Sequence, residues 1–182
     1  MRKKRGYAFY VCVASLLYCA CAVEEQGAKD IVDEPFVDQE SEIREAIMSI
    51  KSDIESSNIE GIQDAHLNSE RFTKFGPRRF ERQDVSSANE SEAAFFGSIK
   101  NVKYEVNDLK IDVFGEVGIA TYYPEVSFVR DGSNVTVSGR QTFVFLKTDS
   151  GWKLIHEHGT IRHPWPSQRP LMTGATDARG NS

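Results

Sequence analysis

The stretch Gly139-Arg140-Gln141-Thr142-Phe143-Val144-Phe145-Leu146-Lys147-Thr148-Asp149-Ser150-Gly151-Trp152-Lys153-Leu154-Ile155-His156-Glu157-His158-Gly159-Thr160 decides the fold. It holds two runs of alternating apolar and polar residues around Asp149-Ser150-Gly151, the pattern of an antiparallel hairpin with one face on a core. Working back from it, the same alternation begins at residue 102 and predicts four strands, at about 102–113, 116–129, 134–147 and 152–162. Gly115 and Asp131-Gly132 mark the earlier turns. In the first strand Val102, Tyr104 and Val106 share one parity while Leu109, Ile111 and Val113 share the other. A bulge or bend near Asn107-Asp108 reconciles them, because one inserted residue exchanges the two faces and curves the sheet.

Upstream of residue 102 the period is helical. Ile43, Ala46, Ile47, Ile50 and Ile54 repeat at the spacing of one helix face, so a first helix is expected over about 39–57, capped by Asp38 or Ser41. Asn58 caps a second, shorter helix carrying Ile59, Ile62, Ala65 and His66. Arg71 to Phe75 forms a short aromatic segment that Gly76-Pro77 ends. Ser87 and Glu90 have the spacing of a capping box, which predicts a third helix with Ala93, Ala94, Phe95, Phe96 and Ile99. Helices first and an antiparallel meander after is an α+β arrangement.

The quoted hairpin resembles the last hairpin of SnoaL-like domains in the nuclear transport factor 2 superfamily. The features shared are a strand with threonine and aromatic residues, an Asp/Gly turn, a tryptophan, and His-x-His followed by a small residue and Ser or Thr. It is also similar to the Trp-x-x-Val-His-x-His ending of the association domain of calcium/calmodulin-dependent protein kinase II. Arg71-Phe72-Thr73-Lys74-Phe75-Gly76-Pro77 after two helices resembles stand-alone members of the group. The resemblance covers about residues 39–163. It implies a cone-shaped α+β fold, with three N-terminal helices packed on a curved antiparallel sheet of four or more strands around a pocket, assembled as a homodimer. It does not imply one chemistry, since the superfamily contains isomerases, dehydratases, hydrolases, cyclases, transport adaptors and assembly domains.

The candidate ligand-binding residues are His66, Tyr104, Tyr122, Arg140, His156 and His158. His156 and His158 stand on one face of their strand, roughly 7 Å apart at about 3.3 Å per residue. They either reach one ligand together or bond to backbone or a partner chain. A metal would need a third donor such as His66 or an acid, and no spacing supplies one, so neither a metal nor another cofactor is expected. Arg140, if it points inward, suits a carboxylate-bearing ligand; if it points outward, it pairs with Glu125 or Asp112. Tyr122 and Tyr123 have opposite parity, so one of them faces inside. An isomerase of the steroid type would need a carboxylate base, from Asp108, Asp112 or Glu125, and none of these matches the isomerase's positions. Three functions stay open: binding of a small, partly apolar molecule without a defined catalytic set, an isomerase, dehydratase or hydrolase, and a non-catalytic homodimerisation module.

The chain has 182 residues and a formal charge of −5. Met1-Arg2-Lys3-Lys4-Arg5 is followed by an uncharged run to Ala22 that reads as a signal peptide, and as a lipoprotein signal if Cys21 is acylated. Removing residues 1–22 takes away four basic residues and no acidic one, which leaves a net charge of −9. Such acidity argues against nucleic acid and against docking on anionic membranes other than through the signal or a lipid. All three cysteines, Cys12, Cys19 and Cys21, lie in this head, so an exported domain would carry no disulfide. The expected destinations are the periplasm, the outer membrane as a lipoprotein, or the medium. Residues 23–38 read as an acidic linker and 164–182, with Pro164, Pro166 and Pro170, as a disordered tail.

Overall fold

The computed structural model describes residues 31–162. The expectations for the signal segment, Cys21 and the tail lie outside these residues. The elements are α1 (Val37–Ser56), α2 (Ile59–Asp64), β1 (Thr73–Phe75), α3 (Val85–Phe96), β2 (Lys100–Phe114), β3 (Val117–Arg130), β4 (Ser133–Thr148) and β5 (Gly151–Ile161). Helices are followed by a long-stranded meander, the α+β order expected, and no described helix is long and apolar enough to cross a membrane.

The isoleucine spacing does in α1 what the period predicts: Ile43, Ile47, Ile50 and Ile54 are all buried. Each such side chain contributes about 1.5–3 kcal/mol relative to exposure. The sheet makes room for this helix at Gly118, where a Cβ would come within 2.2 Å of Ile43 Cδ1. The expected caps of α1 are corrected. Phe36 is its N-cap and makes no side-chain cap, while Asp38 and Glu40 lie in the first turn, where the positive end of the helix dipole favours acids. Asn58 does cap α2, its side chain accepting from Gly61 N at 3.3 Å. For α3 the cap is Asp84, three residues before Ser87, and its Oδ1 accepts from Ser87 N at 2.9 Å.

The sheet has five strands in the order β1-β5-β4-β3-β2. The four long strands pair antiparallel as expected; the addition is β1, which pairs parallel to β5 with Thr73, Lys74 and Phe75 opposite His156, Glu157 and His158. This makes the sheet mixed. The predicted bulge exists between Asn107 and Lys110, with Asp108 at φ 52°. Asp131 and Gly132 both have positive φ, as a two-residue hairpin of this hand requires.

A second irregularity is decisive for the site. The β4/β5 register jumps between Val144 and Phe145, so that Val144 opposes His156 and Phe145 opposes Leu154, leaving Ile155 as the extra residue. Before it Trp152 and Leu154 are buried; after it Glu157 and Gly159 take over that face.

Candidate functional site

The Ile155 bulge turns His156 and His158 to the outer face of the sheet. His156 Nδ1 bonds Thr73 Oγ1 at 2.7 Å, and the ring of Phe75 lies 6.0 Å from His156 and 5.9 Å from His158. Burial and the neighbouring His158 lower the pKa of His156, which keeps it neutral. Arg140, opposite Thr160, is exposed and lines an outer groove with Tyr123 and Glu125. These three candidates therefore do not enter the space between helices and sheet. The other three, His66, Tyr104 and Tyr122, are buried on the inner side.

The inner side holds a cavity of about 470 Å³ whose apolar wall includes Ile50, Ile54, Phe95, Val126 and Phe143. At one end of it four ionisable side chains meet. His66 follows α2 and is held beside β5 by Leu67 N bonding Leu154 O at 2.8 Å and Leu154 N bonding Ala65 O at 2.8 Å. Lys74 is the inward residue of β1, Glu157 its neighbour on β5, and Glu92 reaches down from α3. The ammonium of Lys74 donates to Glu92 Oε1 and, at 3.0 Å, to Glu157 Oε2. Gln141 Nε2 donates to Glu157 Oε1 at 3.1 Å, so both oxygens of Glu157 are engaged. A partly polar cavity side is preserved at Gly159, where a Cβ would meet Gln141 Oε1 at 2.8 Å.

Glu92 is different. Its Oε2 is buried and has no hydrogen-bond partner. His66 Nδ1 bonds Asn89 Oδ1 at 2.8 Å, an oxygen that can only accept, so this nitrogen carries a proton. Nε2 then faces Glu92 Oε2 and Glu157 Oε2, both at 3.7 Å, close enough for electrostatic attraction and too far for a hydrogen bond.

The surroundings push the two carboxyls apart. Burial raises Glu92 above the ordinary 4.5, with Glu157 adding repulsion, and Lys74 and His66 do not cancel this. Burial also pushes Glu157 up, but Lys74 and His66 overcome it and lower its pKa to about 2. Burial would lower both Lys74 and His66; the carboxylates of Glu157 and Glu92 more than offset it and raise both. Glu157 is thus a fixed anion and Lys74 a fixed cation, while Glu92 and His66 both hold their protons more firmly than the free side chains do and face each other without a cation between Oε2 and Nε2. Beside them Tyr104 and Tyr122 share a hydroxyl–hydroxyl bond of 3.0 Å. Burial raises Tyr104 to about 12 and Tyr122 well above its usual value, so both remain donors.

Ligand atoms of His66, Glu92 and Glu157 lie within 4.8 Å of one another, a spacing a metal ion could use. The Lys74 ammonium already bridges the two carboxylates, and a divalent ion would have to displace a cation that they hold charged. Of these groups the sequence singled out only His66. Lys74, Glu92 and Glu157 were missed, although Lys74 shares the parity of buried Phe72 and Glu92 follows buried Ala88 by one helical turn.

A family model described as a SnoaL-like domain matches residues 43–163. Among curated proteins none matches the chain in sequence. Among solved structures, a nuclear transport factor 2-like superfamily protein from Salmonella enterica serovar Typhimurium is similar with a TM-score of 0.64 at 19% identity, over 75% of this chain and 97% of that one. A candidate dehydratase of the same superfamily from Streptomyces avermitilis is similar at a TM-score of 0.62 and 15% identity, over 69% and 97%. A candidate aromatic ring hydroxylase from Novosphingobium aromaticivorans follows at 0.63 and 16%, over 72% and 94%. At these identities the structures speak for the fold, and with the family match they give the conclusion that this chain belongs to the SnoaL-like domain family, with the nuclear transport factor 2-like fold.

Proposed function

We propose that the inner cavity binds a small, partly apolar molecule and that His66 and Glu92 move a proton on it, in a reaction of the dehydratase, isomerase or hydrolase kind. The observation that carries this is the buried Oε2 of Glu92, left without a hydrogen bond beside a histidine that can exchange protons with it. A buried acceptor normally has a partner, and one without costs about 1–3 kcal/mol, an expense that a catalytic role explains. In this reading Glu92, kept protonated by burial, gives its proton to a leaving or carbonyl oxygen and recovers one from His66, or in its ionised form takes a proton from carbon and passes it to His66. Glu157 and Lys74 hold the charge around the pair constant. Tyr104, which lines the cavity, is positioned to donate to a developing oxyanion. The Streptomyces structure, named as a candidate dehydratase, is compatible with such chemistry.

The test is α-proton exchange in D2O, followed by proton NMR over a panel of cyclic ketones and β-hydroxyketones. Exchange accelerated by the wild type and reduced at least about 100-fold in Glu92→Gln, the scale of general acid–base catalysis, is expected. No acceleration with any compound, together with unchanged binding in Glu92→Gln, would leave a cavity that binds without catalysis.

The homodimer remains a second proposal, favoured by the outward exposure of Phe75 and Tyr123 on the far side of the sheet. Sedimentation of the wild type against Tyr123→Glu checks it: a dimer that the charge dissociates supports it, and a wild-type monomer ends it. Export is likewise proposed from the basic and apolar head at residues 1–22. Mass spectrometry of the cell-derived protein would show cleavage near Ala22 or a lipid on Cys21.

A further inference from the structure

From the charges around the cavity we infer that its ligand is an amphipathic organic acid, an apolar body carrying a carboxylate, which enters with the acid group held at the opening by Arg78, Arg79 and Arg130. This rests on the cavity being a binding site, as proposed above, and adds the chemical class of the ligand.

The chain is acidic overall, yet the lining of this cavity is not. It contains the cations Lys74, Arg78, Arg79 and Arg130 against the acids Glu92 and Glu157, an excess of two positive charges (four against two) before His66 is considered. Lys74 is consumed by the two carboxylates at the inner end. The three arginines are not: among the described residues none of them makes an ion pair with an acid. Arg78 and Arg79 are exposed and Arg130 is half-buried, which places them where the cavity meets solvent.

Their positions are built by the chain. Lys74 and Gln83 exchange backbone hydrogen bonds of 3.0 and 2.9 Å, which closes the loop 76–82, Arg79 N bonds Gly76 O at 3.3 Å within it, and its residues 76–79 line the cavity. The Arg78 guanidinium lies over the ring of Phe95 at 5.0 Å. This contact is to the π system and uses no carboxylate, so the guanidinium N–H groups stay available for a planar, two-oxygen acceptor. Arg130 approaches from the end of β3. The same cavity has an apolar wall that includes Phe95, Phe96, Val126 and Ile54. A purely polar anion would leave that wall unused, and a purely apolar ligand would strip water from unpaired guanidinium groups without replacing it.

The test uses two probes of one shape, 2-naphthylacetate and its primary amide 2-naphthylacetamide, titrated calorimetrically into the full-length chain. The acid is expected to bind at least about tenfold tighter, since its charged oxygens and not the amide pair with the guanidinium groups. In R78Q/R79Q/R130Q that preference should fall below about threefold while the affinity for the amide stays unchanged. Equal binding of acid and amide by the wild type would overturn the charge selection and leave the cavity as a binding site. A preference that survives in the triple variant would overturn the role of the arginines. Binding of neither probe would overturn this inference and the binding reading together. If the triple variant fails to fold, as seen by circular dichroism, Arg79→Gln alone must lower the preference, and an unchanged ratio overturns the assignment.

Discussion

The two faces of β5 carry the same kinds of residue and meet different fates. On the outer face His156 and His158 lie against Phe75, partly in water, and His156 has one ordinary hydrogen bond. On the inner face Glu157, one residue from each of them, is packed against Lys74, His66 and Gln141 and holds its charge down to about 2. The difference between a surface pair and a buried charged cluster on one strand is made by one extra residue, Ile155. Residue type alone therefore says little about which side of a sheet gathers buried charge; the register decides.

The sharpest way to break this comparison is to substitute on both faces and compare losses. Glu157→Gln leaves Lys74 buried with one carboxylate fewer, and such a broken buried pair costs about 3–5 kcal/mol, measurable by urea unfolding at neutral pH. The sign with pH follows from the lowered value. Stability owed to Glu157 is present above its unfolded-state pKa near 4.5 and is lost as pH falls from there through about 2, so the cost of Glu157→Gln should shrink in that window.

His156→Ala, which removes the Thr73 bond, should cost about 1 kcal/mol by the same urea measurement. Glu92→Gln should differ in sign. A carboxyl whose folded pKa is raised contributes stability below its unfolded value and loses it as pH rises through the folded one, so its ionisation opposes folding at neutral pH. The variant is expected to be as stable as the wild type or up to about 1 kcal/mol more stable, with the gain vanishing below pH about 4.5, since an amide satisfies Lys74 without a charge to bury. A loss of stability there would mean that Glu92 serves structure. Smallest of all, His158→Ala should stay within about 0.5 kcal/mol of wild type, as an exposed substitution does.

Much of the fold was legible because apolar parity carries it. Leu109, Ile111 and Val113 fall out of phase with Tyr104, and the bulge at Asn107-Asp108 follows from that conflict alone. At Ile155 no conflict is visible: Leu154 and Ile155 are both apolar, either could face the core, and the histidines beyond tolerate both sides. The short strand β1 was hidden for a similar reason. Phe72 and Phe75 cannot both point inward from an extended segment, and which one does is settled by pairing with β5, not by hydropathy. The charged cluster escaped because lysine and glutamate are almost never buried singly, and their pairing depends on contacts across 18 and 83 residues of sequence. His66 was visible because it continues the apolar period of Ile59, Ile62 and Ala65, although the helix itself ends at Asp64 and His66 bridges to Leu154 instead.

The account stands or falls on the two carboxyls behaving oppositely. Carbon-13 NMR titration of the glutamate side-chain carboxyls, in wild type and in Glu92→Gln and Glu157→Gln for assignment, measures this directly. The account predicts one resonance titrating above the ordinary 4.5 that disappears in Glu92→Gln, and another that stays ionised until pH about 2 and disappears in Glu157→Gln. Both carboxyls titrating together near 4.5 would contradict it.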